Sequence, residues 1–121
     1  MKDKFMLLWL VPMLLVSAMP SAVSATGADM AKGKSIYANL CVRCHGVEGK
    51  GNGVMQFTPP VADLTSPAVQ GKLDASLMKA IHDGRKNTAM GAWKFALSDE
   101  ETRHVTEYLR TLGSGLPGTS P

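Results

Sequence analysis

Cysteine is scarce in this chain of 121 residues: Cys41 and Cys44 are the only two. Without a second pair, a structural zinc site lacks its four ligands, and His82 and His104 stand too far apart for finger spacing. A disulfide between the two cysteines would close a strained, very short loop. Charge of one sign is also in short supply. The formal net charge is +3, and Lys2, Asp3 and Lys4 belong to a segment expected to be removed, which leaves the rest nearer neutral. A nucleic-acid footprint is therefore absent, and whole-molecule electrostatic steering is weak. The chain has no internal repeat and no long low-complexity segment. Its glycine-rich stretch, Gly46 to Gly53, has no Gly-Lys-[Ser/Thr] ending and no strand–helix setting, which excludes a phosphate loop. The apolar run from Phe5 to Met19, broken by Pro12 and Ser17, falls short of the ~20 residues of a membrane-spanning helix.

What is present begins with a leader. Met1-Lys2-Asp3-Lys4 is a short charged start, the apolar run follows, and Val23-Ser24-Ala25 suits signal-peptidase cleavage after Ala25. The expectation is an exported, periplasmic protein: residues 1–25 a cleaved signal peptide, 26–113 one domain, and 114–121 a polar C-terminal tail. An uncleaved N-terminal anchor is the competing reading; after cleavage no membrane span is expected.

The decisive string is Cys41-Val42-Arg43-Cys44-His45. Cys-x-x-Cys-His is the order of a covalent c-type haem attachment site. Two thiols three positions apart lie about one helical turn from each other, so both reach the vinyl groups on one edge of a porphyrin. The next residue then offers its imidazole to the iron. A thioredoxin-like redox pair requires a strand-to-helix setting and gives His45 no role. The expected cofactor is one haem c, held through two thioethers by Cys41 and Cys44. It would supply much of the core that so small a domain lacks.

Three helices are expected. The first covers about Asp29 to Leu40, with Asp29 as N-cap and a face of Gly33, Ile36, Tyr37 and Leu40. Gly33 is costly inside a helix, which points to close approach by another helix. The second covers about Ala75 to Asp83, with Asp74 as N-cap, Leu77, Met78 and Ile81 inward, and Gly84 as stop. The third opens on a Ser98–Glu101 capping box, carries Val105, Tyr108, Leu109 and Leu112 on one stripe, and ends at Gly113. The glycines of 46–53 are expected to pass backbone tightly around the haem edge, and Thr58-Pro59-Pro60 is a rigid extended segment.

His45 fills one axial position of the iron. For the other, the expected mature chain offers Met30, Met55, Met78, Met90, His82 and His104. Met30 and Met78 sit on helices, where methionine is usually core filler. Met55 is close in sequence to His45, while His82 and His104 read as solvent-side. Met90 stands in an irregular stretch far enough along to cross to the opposite face. The reading favours Met90, because a Met/His pair is the usual electron-transfer ligation.

These motifs resemble the small class I (monohaem) bacterial c-type cytochromes. The likeness runs from Gly33 and Tyr37 through the haem string, Pro59-Pro60 with Asp63-Leu64-Thr65, Ile81-His82-Asp83-Gly84, Met90 with Trp93, and Leu97 to Glu101 leading to Tyr108-Leu109. It implies an all-α, cytochrome c-like fold of three main helices and long loops. It implies that the first and last helices cross, Gly33 and Tyr37 against Tyr108 and Leu109. It also implies that a Pro59 or Pro60 carbonyl accepts the His45 Nδ1 hydrogen bond. The family often has proline after the ligand methionine, where this chain has Gly91, which makes that turn more mobile.

The expected function is single-electron transfer by a monomer, through transient encounters with redox partner proteins. Lys50, Arg85, Lys86 and Lys94 are candidates for a basic rim. No nucleophile–base pair is evident, so an enzyme is not expected. An electron-entry subunit of a larger oxidoreductase or respiratory complex, or a ligand-binding or peroxidatic haem protein if Met90 dissociates, are the alternatives. Because the haem is expected to complete the core, a Cys41→Ala, Cys44→Ala chain should show no cooperative thermal transition; a sharp transition would contradict that dependence.

Overall fold

The structure is a computed structural model that describes residues 24–114. The expected leader and tail lie outside these residues, apart from Ser24, Ala25 and Ser114. Among the described residues every regular element is helical: α1 (Ser24–Ile36), a π-helical turn (Tyr37–Cys41), α2 (Val42–His45), α3 (Pro67–Gln70), α4 (Asp74–Asp83) and α5 (Asp99–Ser114). No described helix is long and apolar enough to cross a membrane.

The first helix is longer than its sequence pattern suggests. It starts at Ser24 and runs without a break into His45, so the Cys-x-x-Cys-His string lies at its C-terminal end. The Val42 N–H donates to the Tyr37 carbonyl, five residues back, and this widened turn re-aims the helix just before the two cysteines. Asp29, expected as a cap, lies within α1 and faces α5 instead. Gly46, with φ of 81°, stops the run.

The later helices follow local chemistry. Ser66 caps α3, its side chain accepting from the Val69 N–H, with Pro67 in the first turn. Asp74 does not cap α4: the N-cap is Leu73, which makes no side-chain cap bond. The Asp74 carboxylate is turned to Arg110, whose Nε donates to its Oδ1 at 2.8 Å. The same guanidinium donates to the Gln70 carbonyl at 2.7 Å, tying α5 to the turn between α3 and α4. The capping box forms as expected: the Ser98 N–H donates to Glu101 Oε2 at 2.8 Å, and the Glu101 N–H to Ser98 Oγ at 3.2 Å. α5 passes through Gly113 to Ser114 rather than ending at the glycine.

The main packing contact is the crossing of α1 on α5. A Cβ on Gly33 would lie 2.1 Å from the His104 carbonyl oxygen, so only glycine permits this approach. One turn further on, the Tyr37 and Tyr108 rings meet at 5.3 Å between centroids, tilted by 52°. Tyr37, Ile81, Leu97, Val105, Tyr108, Leu109 and Leu112 form the buried cluster, each large side chain stabilising by about 1.5–3 kcal/mol. His104 departs from its expected place on the polar side. It is 1% exposed, with Nε2 3.1 Å from Asp29 Oδ1. The cause is Gly33: two backbones in contact leave residue 104 sealed between the helices.

Gly33→Ala should therefore lower the denaturant midpoint by the equivalent of roughly 1–3 kcal/mol, the range of overpacking. Gly27→Ala, where a Cβ meets nothing within 4 Å, should leave it unchanged or raise it. Equal behaviour of the two variants would contradict the crossing.

Candidate haem site

The end of the first helix, the extended stretch from Phe57 to Leu64, the inner face of α4 and the loop leading to α5 enclose one cavity of about 460 Å³. That volume lies within the ~300–1,000 Å³ usual for ligand sites. Its walls are largely apolar, with Leu40, Leu77, Ile81, Leu97, Val105 and Leu109 among them. Cys41, Cys44 and His45 line it from one element, and Met90 and Trp93 from another.

The cysteine–histidine end is held by the loop that follows it. The Gly51 N–H donates to the His45 carbonyl at 2.8 Å, and the Met55 N–H to the Arg43 carbonyl at 3.0 Å. Carbonyls orphaned at the end of α2 are thereby satisfied. A Cβ on Gly53 would fall 2.4 Å from the Arg43 oxygen, so glycine is needed for this close return. The glycines thus wrap the end of the motif's own helix; none of residues 46–56 lines the cavity, contrary to the expectation that they border a haem edge. Beneath them the Tyr37 hydroxyl donates to the Gly46 carbonyl at 2.6 Å. Burial, followed by the nearby Cys41 and Tyr108, pushes the phenol's pKa well up.

His45 Nδ1 lies 3.2 Å from the Ala62 carbonyl. Pro59 and Pro60 line the cavity, but neither is the acceptor. The Leu64 N–H donates to the Gly49 carbonyl at 2.6 Å, docking this strand of chain on the glycine loop so that residue 62 faces the ring. With Nδ1–H donating, Nε2 is the nitrogen left to coordinate. Burial lowers the His45 pKa, partly opposed by the Ala62 bond, and so favours the neutral, ligating imidazole. Both thiols are free and half-buried. Burial, and then Cys44 beside it, pushes the Cys41 thiol up to about 11. Two unpaired thiols and a neutral imidazole facing one apolar cavity fit a covalently held haem.

The wall that carries Met90 is fixed by backbone contacts. A Cβ on Gly84 would come within 2.7 Å of the Met90 oxygen, so the end of α4 lies directly on this loop. The Arg85 N–H donates to the Met90 carbonyl at 3.0 Å, and the Trp93 N–H to the Ile81 carbonyl at 3.0 Å. Met90 and Trp93 both pack against the core. The other donors weighed from sequence go elsewhere. Met55 is 40% exposed and outside the lining, Met30 packs on the core, Met78 and His82 border a separate shallow pocket, and His104 is sealed in the helix crossing. Among the residues lining the cavity, His45 is the only imidazole and Met90 the only thioether.

Two cations also line it, Lys72 and Arg85. Nothing in the motif spacing singles out Lys72. Of the other rim candidates, Lys50 is 3.1 Å from Glu48, and Lys94 lies 5.4 Å from the Phe95 ring centroid.

Comparison with known proteins agrees with this geometry. Residues 30–113 match the family model described as Cytochrome c, and the chain belongs to the cytochrome c family. It is 36% identical over 89 residues to the cbb3-type cytochrome c oxidase subunit FixP of Bradyrhizobium diazoefficiens, covering 74% of this chain and 29% of that protein. It is 30% identical over 91 residues to cytochrome c-554(547) of Halothiobacillus neapolitanus, covering 69% of this chain and 97% of that one. The solved c-type cytochrome NirC superimposes with a TM-score of 0.55 at 25% identity, covering 84% of this chain and all of that chain (100%). The chain spans about a third of the length of the oxidase subunits it matches. Its fold is the all-α cytochrome c fold, and the family supports haem c binding and haem-based electron transfer.

Proposed function

We propose that this protein is a periplasmic single-electron carrier with one haem c, attached through Cys41 and Cys44 and ligated by His45 and Met90. The observation that carries the reading is the convergence of these four side chains, from two separate elements, on one apolar cavity. Bound haem supplies a one-electron Fe(III)/Fe(II) couple. His45, its ring oriented by Ala62, and Met90, its loop held to α4, serve both oxidation states with little rearrangement. The Met90 thioether favours the reduced state and raises the potential. Leu77, Ile81, Val105 and Leu109 exclude water and disfavour the extra charge of the oxidised state.

The organisation expected from sequence completes the reading: a leader over 1–25, the haem domain over 26–113, a short tail over 114–121, and a monomer that meets its redox partners transiently. A second reading, an electron-entry subunit of a larger complex, is favoured by the likeness to cbb3-type oxidase subunits. The near-complete coverage of cytochrome c-554(547) favours the free carrier. A ligand-binding haem protein finds less support, because the backbone bonds flanking Met90 oppose its release despite Gly91.

Met90→Ala should lower the reduction potential and let the reduced protein bind carbon monoxide rapidly and stoichiometrically. Met55→Ala and His82→Ala should do neither. Wild-type behaviour of Met90→Ala, with the change appearing in Met55→Ala or His82→Ala, would overturn the ligand assignment.

A further inference from the structure

The loop that carries Met90 closes on itself. The chain leaves α4 at Gly84, with φ of 74°. The Arg85 N–H then donates to the Met90 carbonyl at 3.0 Å, so the two ends of the segment face each other. Asn87, with φ of 59°, turns the chain between them. It is the only non-glycine among the described residues in the left-handed region, which asparagine tolerates better than most side chains.

Thr88 fills the inside of this loop. Its hydroxyl donates to the Arg85 carbonyl at 2.8 Å, and the same oxygen accepts from the Met90 N–H at 3.2 Å. One hydroxyl thus bridges the first residue of the loop to the last. Both backbone polar groups of Met90 are engaged, and among the described residues this hydroxyl is the only partner of its N–H. On the other side Gly91 offers no packing, since a Cβ there would meet nothing within 4 Å. The next backbone bond in that direction is the one from Trp93 to Ile81. The bridge is exposed, but Thr88 lines the cavity. A group seated in the cavity would shield its inner side from water and strengthen both bonds.

We propose that Thr88 is a positioning residue for Met90, its hydroxyl holding the loop in the shape that offers the thioether to the cavity. This rests on Met90 as the second ligand of the iron. Thr88 thereby sets how often that ligand leaves and the axial position opens. Thr88→Val keeps the branched shape of the side chain but removes both bonds. The Met90 N–H then has no partner within the loop, and the open state gains population at the expense of the closed one. An outside ligand binds only the open state, so its apparent dissociation constant falls as the open fraction rises.

The test is a spectroscopic titration of the oxidised holoprotein with imidazole, for the wild type, Thr88→Val, Thr88→Ala and Thr88→Ser. The Val and Ala variants should bind imidazole roughly 3- to 10-fold more tightly, the change expected for one lost hydrogen bond. Thr88→Ser, which keeps the hydroxyl, should return to the wild-type value. Thr111→Val removes a hydroxyl that donates to the Tyr108 carbonyl at 2.7 Å away from the cavity lining, and should also match the wild type. Unchanged imidazole affinity in Thr88→Val and Thr88→Ala would overturn the proposal. An equal gain in Thr111→Val would overturn it too, assigning the effect to general loosening of the fold. The sulfur-to-iron charge-transfer band of the wild type separates the two levels of the account. Its absence would overturn the ligand reading and this proposal together, whereas its presence with unchanged imidazole binding would overturn this proposal alone.

Discussion

The hydroxyl of Tyr37, donated to the Gly46 carbonyl at 2.6 Å, joins the parts on which the site depends. Its ring packs on Tyr108 where the first and last helices cross, and its side chain also forms part of the cavity wall. The helix crossing and the end of the Cys-x-x-Cys-His segment are therefore held at a fixed separation by one buried side chain. Burial keeps the phenol protonated, so the donor is present throughout the physiological range. The Gly46 carbonyl also accepts from the Gly49 N–H at 3.1 Å, so the hydroxyl contributes one of its two bonds, about 0.5–1.5 kcal/mol. Gly33 makes the arrangement possible, since only a bare Cα lets α1 approach α5 closely enough to bury Tyr37.

The far wall answers this with backbone rather than side-chain bonds. Arg85 and Trp93 bracket Met90 and return their N–H groups to the loop and to α4. Gly91 has open space around it and is not in the left-handed region, so the turn does not depend on glycine for its shape. Mobility expected from Gly91 alone is offset by these flanking bonds and by the packing of Met90 and Trp93 on the core. As axial ligands, the pair we propose, two side chains each held by its own element would suit electron transfer, where the two oxidation states must share one geometry.

The features legible in sequence were those fixed by neighbours a few positions apart. The Cys-x-x-Cys-His order, the Ser98–Glu101 box and the stripe Val105, Tyr108, Leu109 and Leu112 each depend on one turn of helix. Gly33 as a contact point was legible because a glycine inside a helix needs a reason. What escaped depends on tertiary approach. Nothing local indicates that His104 would be sealed, since its burial follows from Gly33 on a distant segment. Asp29 and Asp74 resemble caps by composition, but His104 and Arg110 compete for their carboxylates across the fold. The His45 acceptor moved from the prolines to Ala62 because the glycine loop docks the 61–64 segment. The sequence favours Met90 only by elimination of rival donors; in the cavity lining it is the only thioether, as His45 is the only imidazole.

Relatives of two kinds carry this domain, one nearly coextensive with it and one in which it is a minor part. The cavity and its two walls serve either setting, because the residues that would hold the haem all lie within this domain. The absorption spectrum of the oxidised protein at neutral pH tests the proposed ligation most directly. Ligation by His45 and Met90 should give a low-spin spectrum with the sulfur-to-iron charge-transfer band of methionine ligation. A high-spin spectrum, or a low-spin one without that band, would contradict it.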